Sequence, residues 1–407
     1  MRIDPSQHGW MTAPETVQVM AALLEARFVG GAVRNALLGV PVVDIDIAVP
    51  MPPQETMARL AKNGIKYVET GIDHGTITAI AGVHAFEITS LRRDVETDGR
   101  HAVIAFTDDW AEDATRRDFT INALYASADG EIFDYATGVE DLIAGRVRFM
   151  GDARTRIAED YLRVLRLFRF HAWYGKGDID PDGLRAAADA RGKLKTLSAE
   201  RVAKELLRLL EAGKPAPVLR VMAATGILSE LLPGALQLPR LERLTEIDAD
   251  NLFARDGVIR LAALLPDNGE AAHASADALK LSNADRLRLE QALGGEGIAA
   301  HLSAKDARRL LYRLGAARFR DKVRLAWAGA SKNGNALQHR MLLEMADNWQ
   351  RPRFALSGLD VMQAGVPQGP EVGRVLGQVE DWWVDGDFAA DEGALRDRLH
   401  AVLAERP

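Results

Sequence analysis

Phe28-Val29-Gly30-Gly31-Ala32-Val33-Arg34, followed seven residues later by Val42-Val43-Asp44-Ile45-Asp46-Ile47-Ala48-Val49, is the stretch whose reading decides the fold. Two glycines opening a helical stretch let backbone N–H groups approach a phosphate closely, and the helix N-terminus favours an anion there. Arg34, one turn in, can reach the same anion. In a strand, side chains two apart share a face, so the spacing predicts Asp44 and Asp46 projecting together while Val43, Ile45 and Ile47 face a core. Paired carboxylates beside phosphate oxygens suit a hard cation such as Mg²⁺. Each piece alone is commonplace, a glycine turn or a solvated strand edge. In this order and within one short segment they point to nucleotidyl transfer.

Three further clusters extend the pattern. Residues 85–91 alternate, with Phe86 and Ile88 on one face and Glu87 and Thr89 on the other, so Glu87 can join the aspartates from a neighbouring strand or stand as a surface glutamate. Arg116-Arg117-Asp118-Phe119-Thr120-Ile121-Asn122-Ala123-Leu124 places a basic pair and an acid at the expected start of a helical run. Arginine donates to phosphate and aspartate accepts from a ribose hydroxyl, although a local ion pair would read the same way. In residues 159–170, Asp160 and Arg163 fall on one face of an expected helix, Leu162, Leu165 and Phe168 pack, and Arg166 and Arg169 continue a basic ridge. An amphipathic helix with a Glu159–Arg163 pair is the plainer alternative.

At 407 residues the chain has room for two to four domains, and 47% hydrophobic with 27% charged residues is a globular composition. No apolar run approaches the roughly 18 residues of a membrane span. The absence of cysteine excludes disulfides, thiolate nucleophiles and cysteine-bound metals, so any metal sits on oxygen or nitrogen. The first 30 residues carry Asp4, Glu15 and Glu25 and read as no secretory signal, which makes the cytoplasm the expected compartment. The net charge of -7 is uneven: residues 1–150 hold 13 basic against 22 acidic side chains, whereas residues 301–353 hold 12 against four. An acidic head and a basic stretch fit a metal site plus a polyanion track, or merely a solvated helix face. Strand-like runs at 42–49, 75–81, 85–91, 101–107 and 132–135 give way after about residue 156 to helical spacing, with breaks at 213–217, 232–234, 266–269 and 329–335.

Together these clusters resemble the bacterial-type tRNA nucleotidyltransferases, the class of CCA-adding enzymes that also includes the bacterial poly(A) polymerases. Motif A of that family is matched by Gly30, Gly31, Val33, Arg34, Asp44 and Asp46, and motif B by residues 116–124. Motif C is matched by Asp134, Gly138, Asp141 and Leu142, with Tyr135 where the family often has proline. Motif D is matched by residues 159–169, and motif E by Leu197-Ser198-Ala199-Glu200-Arg201 with Glu205. Asn35 stands in place of the usual aspartate after the motif A arginine. The similarity is dense from Phe28 to about Leu210 and general beyond residue 215, where Gly365-Val366-Pro367-Gln368-Gly369-Pro370 is similar to the tail of some members.

The resemblance implies an α+β chain: a polymerase-β-like nucleotidyltransferase head with a mixed sheet over 1–145, then an all-helical neck (146–215), body (216–330) and tail (331–407). It implies that Asp44 and Asp46 bind Mg²⁺ for two-metal catalysis, with Glu87 as third carboxylate. Gly31, Arg34 and Arg117 would meet the triphosphate, Asp118 the ribose, and Asp160 and Arg163 the base, with Arg166 and Arg169 nearby. Partners would be the 3′ end and the acceptor and elbow region of tRNA, with CTP and ATP as substrates and no obligate protein partner. Arg308, Arg309, Arg313, Arg318, Arg320, Lys322 and Arg324 are the candidate RNA contacts. Base choice follows from chemistry: C and A each present an amino donor beside an unprotonated ring nitrogen, whereas G and U present a carbonyl beside a ring N–H. A carboxylate and a guanidinium therefore select C and A without a template.

Poly(A) synthesis, CC-only or A-only addition, and a non-catalytic RNA-binding relative are the alternatives. Residues 92–100 lie where the family has a mobile loop needed for the switch to A, which favours full CCA addition; the lack of a long basic terminal extension favours tRNA. Intact Asp44, Asp46 and Arg117 speak against an inactive relative, and no His-Asp pair set among other histidines suggests an added phosphohydrolase domain.

Overall fold

A computed structural model describes residues 1–98, 101–299, 301–331 and 335–405, which form two compact units. The first comprises Met1–Pro233 with Ala278–Lys280, the second Gly234–Asp277 and Leu281–Pro407. The first contains the sheet and the helices that follow it as far as Pro233, and the boundary between the units falls within residues 216–330.

Among the described residues nine strands lie in the first unit: β1 (Arg27–Val29), β2 (Asp46–Val49), β3 (Lys66–Gly71), β4 (Thr76–Ala81), β5 (His84–Ser90), β6 (Arg92–Asp98), β7 (His101–Phe106), β8 (Leu124–Ala126) and β9 (Ile132–Asp134). Seven make one mixed sheet in the order β3-β4-β5-β2-β1-β8-β9. Its pairs are antiparallel except β2 with β5, which run parallel with Asp46 opposite Glu87 and Val49 opposite Ser90. Val29, Ala48, Leu91, Ala114, Ala123 and Tyr125 pack under this part of the sheet.

Three expectations give way here. The strand expected at 42–49 begins only at Asp46; Asp44 lies in a bend before it, and Val43 is 85% exposed rather than in the core. A run of β-branched residues raises strand propensity but supplies no pairing partner, and β1, the neighbour of β2, is only three residues long. Residues 116–124 close a helix rather than open one: Trp110–Thr115 ends at Arg116, and a single 3₁₀ turn, Thr120–Asn122, leads into β8. Of the segment 92–100, residues Arg92–Asp98 pair with β7 as a two-stranded ribbon instead of forming a loop; Gly99 and Arg100 lie outside the described residues.

After the sheet come helices Ala153–Glu159, Leu162–Tyr174, Pro181–Asp189, Ala199–Leu210 and Ala216–Ala224. Ala199–Leu210 buries Val202, Ala203, Leu206, Leu209 and Leu210, a helical stripe that packs on Leu162–Tyr174. The second unit is all helical among its described residues. Helix Gly257–Leu264 is buried throughout, and Asp248 inside this unit takes both Arg260 and Arg324. Val361, Val375, Val379, Trp383, Leu395 and Leu399 close around Tyr312 farther along the chain.

Candidate active site

Gly30 has a φ of 63°, a left-handed conformation that costs glycine little, and it turns β1 directly into helix Gly31–Leu37. That turn carries Arg34 into the protein, where only 7% of it is exposed. One Arg34 nitrogen donates to the Asn122 side chain and another to Tyr174 Oη at 2.9 Å and Asn35 Oδ1 at 3.1 Å. The guanidinium also lies 4.1 Å from the Tyr174 ring centroid. Burial pushes the pKa of Arg34 down, with Tyr174 partly opposing it. Asn35, the departure from the family pattern, thus braces Arg34 while adding no charge, and its amide is anchored on the Pro41 carbonyl at 3.1 Å.

The parallel register of β2 and β5 sets Asp46 beside Glu87. Burial first, then the charge of Glu87, pushes the Asp46 carboxyl up to about 6; Arg117 and Arg34 pull it down and Asp44 pushes it up. Asp44 therefore bears on Asp46 although it sits outside the strand. A half-buried carboxylate whose proton affinity is raised by two other acids is a donor set short of positive charge, and hard oxygens of this kind fit Mg²⁺. Among the described residues no three His, Asp or Glu side chains converge tightly enough to hold a metal by themselves, so phosphate oxygens would have to complete the shell.

Arg117 stands over this site from a buried clamp. Its Nε donates to Tyr125 Oη at 3.1 Å and its Nη2 to Asp113 Oδ2 at 3.0 Å, while Tyr125 Oη donates to the same Asp113 oxygen at 2.7 Å. Arg116 Nε closes on the other Asp113 oxygen at 2.9 Å. Burial alone would raise Asp113, but the two arginines outweigh it and hold the carboxyl at about 2. Burial likewise works to lower Arg117, and Tyr125 with Asp113 reverses it, so the guanidinium is held firmly charged. The Gly30 Cα position comes close to this side chain: an added Cβ would lie 3.6 Å from Arg117 Nη1.

Asp118 faces the helices. Its Oδ1 accepts from Asn122 Nδ2 and from the Phe119 N–H, both at 2.9 Å, and its Oδ2 from Arg166 Nε at 2.7 Å. Burial would raise its pKa, but Arg166 and these hydrogen bonds keep it below the usual carboxylate range. Arg166 also lies 3.6 Å from Glu205, which takes Arg169 Nε at 2.5 Å. The expected basic ridge is therefore a chain of alternating charges through Asp118, Arg166, Glu205 and Arg169.

Asp160 is not within a helix. It sits in extended conformation between Ala153–Glu159 and Leu162–Tyr174, where its Oδ1 accepts the Leu162 N–H at 3.1 Å and its Oδ2 accepts Arg201 Nη2 at 2.7 Å. Arg163, one turn on, pairs through Nη1 with Glu159 and with the Arg156 carbonyl at 2.7 Å. The Glu159–Arg163 pair read as the plainer alternative does form. Among the described residues it leaves Nε and Nη2 of Arg163 without a partner, and each Asp160 oxygen keeps a lone pair. Arg156 ties this turn to the clamp, pairing with Glu159 at 2.6 Å and donating to the Arg117 carbonyl at 2.7 Å.

Sequence reasoning passed over Asp113, Tyr125, Arg156 and Tyr174, none of which sits in a spacing that signals chemistry, and gave Asn122 no role of its own within motif B. Only Asp113, four residues before Arg117, offered an i,i+4 cue. Motif C serves the frame: Asp134 caps helix Gly138–Ala144 through the N–H groups of Gly138 and Val139, and fully buried Asp141 takes Thr120 Oγ1 at 2.7 Å and Arg146 and Arg148 at 2.9 Å. Tyr135, at the proline position, accepts Arg27 Nη1 at 2.9 Å.

The basic stretch of the second unit is largely spoken for. Arg308 pairs with Asp387, Arg309 with Asp306 and Asp385, Arg313 with Asp381, Arg320 with Asp347 and Arg324 with Asp248. Arg318 donates to the Gln291 carbonyl at 3.3 Å and Lys322 to that of Gly294 at 2.7 Å. No helix among the described residues is long and apolar enough to cross a membrane.

Residues 26–148 match the poly A polymerase head domain family, and residues 178–238 match the probable RNA and SrmB-binding site of polymerase A. The chain is 34% identical to human mitochondrial CCA tRNA nucleotidyltransferase 1 over 91% of its own length and 85% of the relative's. It is 31% identical to a CCA-adding enzyme of Levilactobacillus brevis over 95% and 96% of the two chains. The crystal structure of the Bacillus stearothermophilus CCA-adding enzyme in complex with CTP is similar in fold, with a TM-score of 0.76 at 27% identity over 96% of this chain and 97% of that one.

Proposed function

We propose, since this chain belongs to the family of CCA-adding tRNA nucleotidyltransferases, that it extends the 3′ end of tRNA with C, C and A from CTP and ATP without a nucleic-acid template. The observation that carries the reading is Asp46, half-buried and raised to about 6, set against Glu87 across two parallel strands and overlooked by Arg117 and Arg34.

Asp44 and Asp46, with Glu87 beside them, are the residues that would hold Mg²⁺; bound there, it supplies the Lewis acid for the attacking 3′-oxygen and the departing pyrophosphate. The amide of Gly31 and the guanidinium groups of Arg34 and Arg117 bind the triphosphate. Arg117 arrives with its direction set by Asp113 and Tyr125, so little rotamer entropy is lost on binding. Asp118 takes a ribose hydroxyl by exchanging it for one of the four hydrogen bonds that its oxygens accept from Asn122, Phe119 and Arg166. Asp160 accepts the amino group of C or A, and Arg163, held along one edge by Glu159, donates to the adjacent ring nitrogen. Arg166 and Arg169, tied to Asp118 and Glu205, stand near this pair on the helix that carries Arg163. The four-part division into head, neck, body and tail gives tRNA its path, its 3′ end at the head and its acceptor and elbow region against the basic side chains of the later helices. We locate the reaction in the cytoplasm, where CTP, ATP and unfinished tRNA occur together.

The test supplies purified protein with tRNA ending before the first C, after one C or after two, and each nucleotide singly, sizing the products on a gel. Two C additions followed by one A are expected. An adenylate tract would assign poly(A) synthesis, and binding without incorporation would assign a non-catalytic role. Asp46→Asn should abolish incorporation and leave tRNA binding within about twofold, because affinity for nucleic acid comes from basic surface elsewhere.

A further inference from the structure

A cavity of about 500 Å³ lies within the second unit, walled by Arg240, Asp267, Lys322, His339 and the backbone of Gly295, Gly297 and Gly329. Lys322 is the unusual member, since only 5% of it is exposed. Its ammonium donates to one neutral acceptor, the Gly294 carbonyl at 2.7 Å, and among the described residues no carboxylate lies within ion-pairing distance. A buried ammonium without a counter-charge is costly, and proteins retain one where an anion or a reaction requires it. The surroundings make it worse: burial pushes the Lys322 pKa down and Arg318 pushes it further, while Asp267 and Glu296 oppose this from exposed positions.

The rest of the wall narrows the ligand. Arg240 is fixed by the carbonyls of Ala262, Ala263 and Leu265 and adds a second positive charge that Asp267, 3.7 Å away and mostly in solvent, only partly offsets. His339 donates from Nδ1 to the Asn335 carbonyl at 2.9 Å, and burial pushes its pKa down, which leaves Nε2 as an acceptor for a hydroxyl or a phosphate proton. Gly295 and Gly297, outside any helix, leave the backbone there uncovered by side chains. The volume exceeds the needs of a bare ion and suits a phosphate with an attached sugar.

We infer that this cavity is a phosphate-binding site centred on the Lys322 ammonium, with Arg240 supplying charge and His339 accepting a ligand hydroxyl. The phosphate has two sources of the same chemistry: a backbone phosphate of tRNA, in which case the inference rests on the function proposed above, or a free nucleotide or phosphate, in which case it does not.

Thermal unfolding of the full chain, wild type and Lys322→Met, with and without inorganic phosphate, tests it by sign. Lys322→Met keeps the length of the side chain and removes the stranded charge, so it should raise Tm in phosphate-free buffer, whereas phosphate should raise Tm of wild type only. Arg117→Met, in the head, should keep the phosphate response, which separates this cavity from the triphosphate site. tRNA binding then identifies the source: a loss of about tenfold in Lys322→Met, with phosphate competing in wild type, assigns tRNA, and unchanged tRNA binding assigns the free ligand. If phosphate stabilises both proteins equally, or neither, or if Lys322→Met lowers Tm without altering the phosphate response, Lys322 is only a strut for the Gly294 carbonyl and the inference falls. None of these readouts uses nucleotide incorporation, so they stand apart from the fate of the proposed activity.

Discussion

At the residue scale, Asp160 and Asp113 separate selectivity from stability. In the proposed reaction Asp160→Ala removes the acceptor for the amino groups of C and A and leaves Asp44, Asp46, Arg34 and Arg117 in place. It should lower the ratio of correct to incorrect incorporation by roughly ten- to hundredfold, the equivalent of about 1 to 3 kcal/mol for a hydrogen bond to a charged group. Arg201, 38% exposed, turns to water when it loses this partner, so stability should change by only about a few tenths of a kcal/mol. Values of kcat/KM for the four nucleotides on matched tRNA ends decide it, and unchanged ratios in an active variant would move base reading elsewhere. Asp113→Asn acts on stability, because it strands Arg116 and Arg117 in a buried place; unfolding free energy at neutral pH should fall by about 3 kcal/mol. The wild-type carboxyl sits at about 2 when folded, against 3.8 for the free group. It therefore stabilises above pH 4, and that contribution disappears as pH falls through about 2. Urea unfolding should accordingly show the gap between variant and wild type narrowing between about pH 4 and pH 2. The sequence made Asp46, Glu87 and Arg117 legible because their chemistry repeats with a spacing; Asp113 and Tyr125 were not, since a clamp is defined by three-dimensional convergence.

Elements were legible in proportion to their length and periodicity. β4, β5 and β7 were foreseen within a residue or so at each end, whereas three-residue β1 and β8 carry no alternation long enough to read and owe their state to pairing with each other and with β2 and β9. β3, with four of its six residues on the exposed side of the pattern, lacks an apolar face to announce it. The helix break at Asp160 escaped for a related reason: residues 153–174 keep helical spacing across it, and only the capping by Asp160 marks the interruption. Where an element meets backbone, one methyl is enough to test the frame. A Cβ on Gly138 would lie 2.3 Å from the Thr120 carbonyl oxygen, which cannot retreat without moving the turn that precedes β8, and 3.0 Å from Leu124 Cδ2. Gly138→Ala should cost about 2 to 3 kcal/mol and lower Tm accordingly, with Asp141→Asn damaging the same joint. A Gly138→Ala protein as stable as wild type would show that the joint yields.

For the whole molecule, the distribution of charge misleads when counted along the chain. Residues 301–353 looked like a polyanion track at 12 basic to four acidic side chains, yet their partners arrive from Asp248, Asp381, Asp385 and Asp387, which no local window contains. The pairs differ in exposure. Arg313 and Arg320 are nearly half-exposed and can trade their aspartates for phosphates, whereas Arg324 is 12% exposed against a buried Asp248. Replacing Arg313 and Arg320 together with glutamine should weaken tRNA binding and reduce the slope of log K against log salt by about two, roughly one per contact. Arg324→Gln should cost stability instead. An unaltered slope in the double variant would leave the stretch to internal pairing alone.

The parallel pairing of β2 with β5 has a further consequence. Side chains on a strand alternate with a period of two, so slipping this pair by a single residue would turn Glu87 to the opposite face of the sheet and bring Phe86 or Ile88, both buried, to the carboxylate side. Misregistered molecules would then be silent in turnover even when compact and helical by spectroscopy. Specific activity per folded molecule thus doubles as a census of strand register, and a preparation refolded from denaturant can be graded by comparing its turnover with its ellipticity.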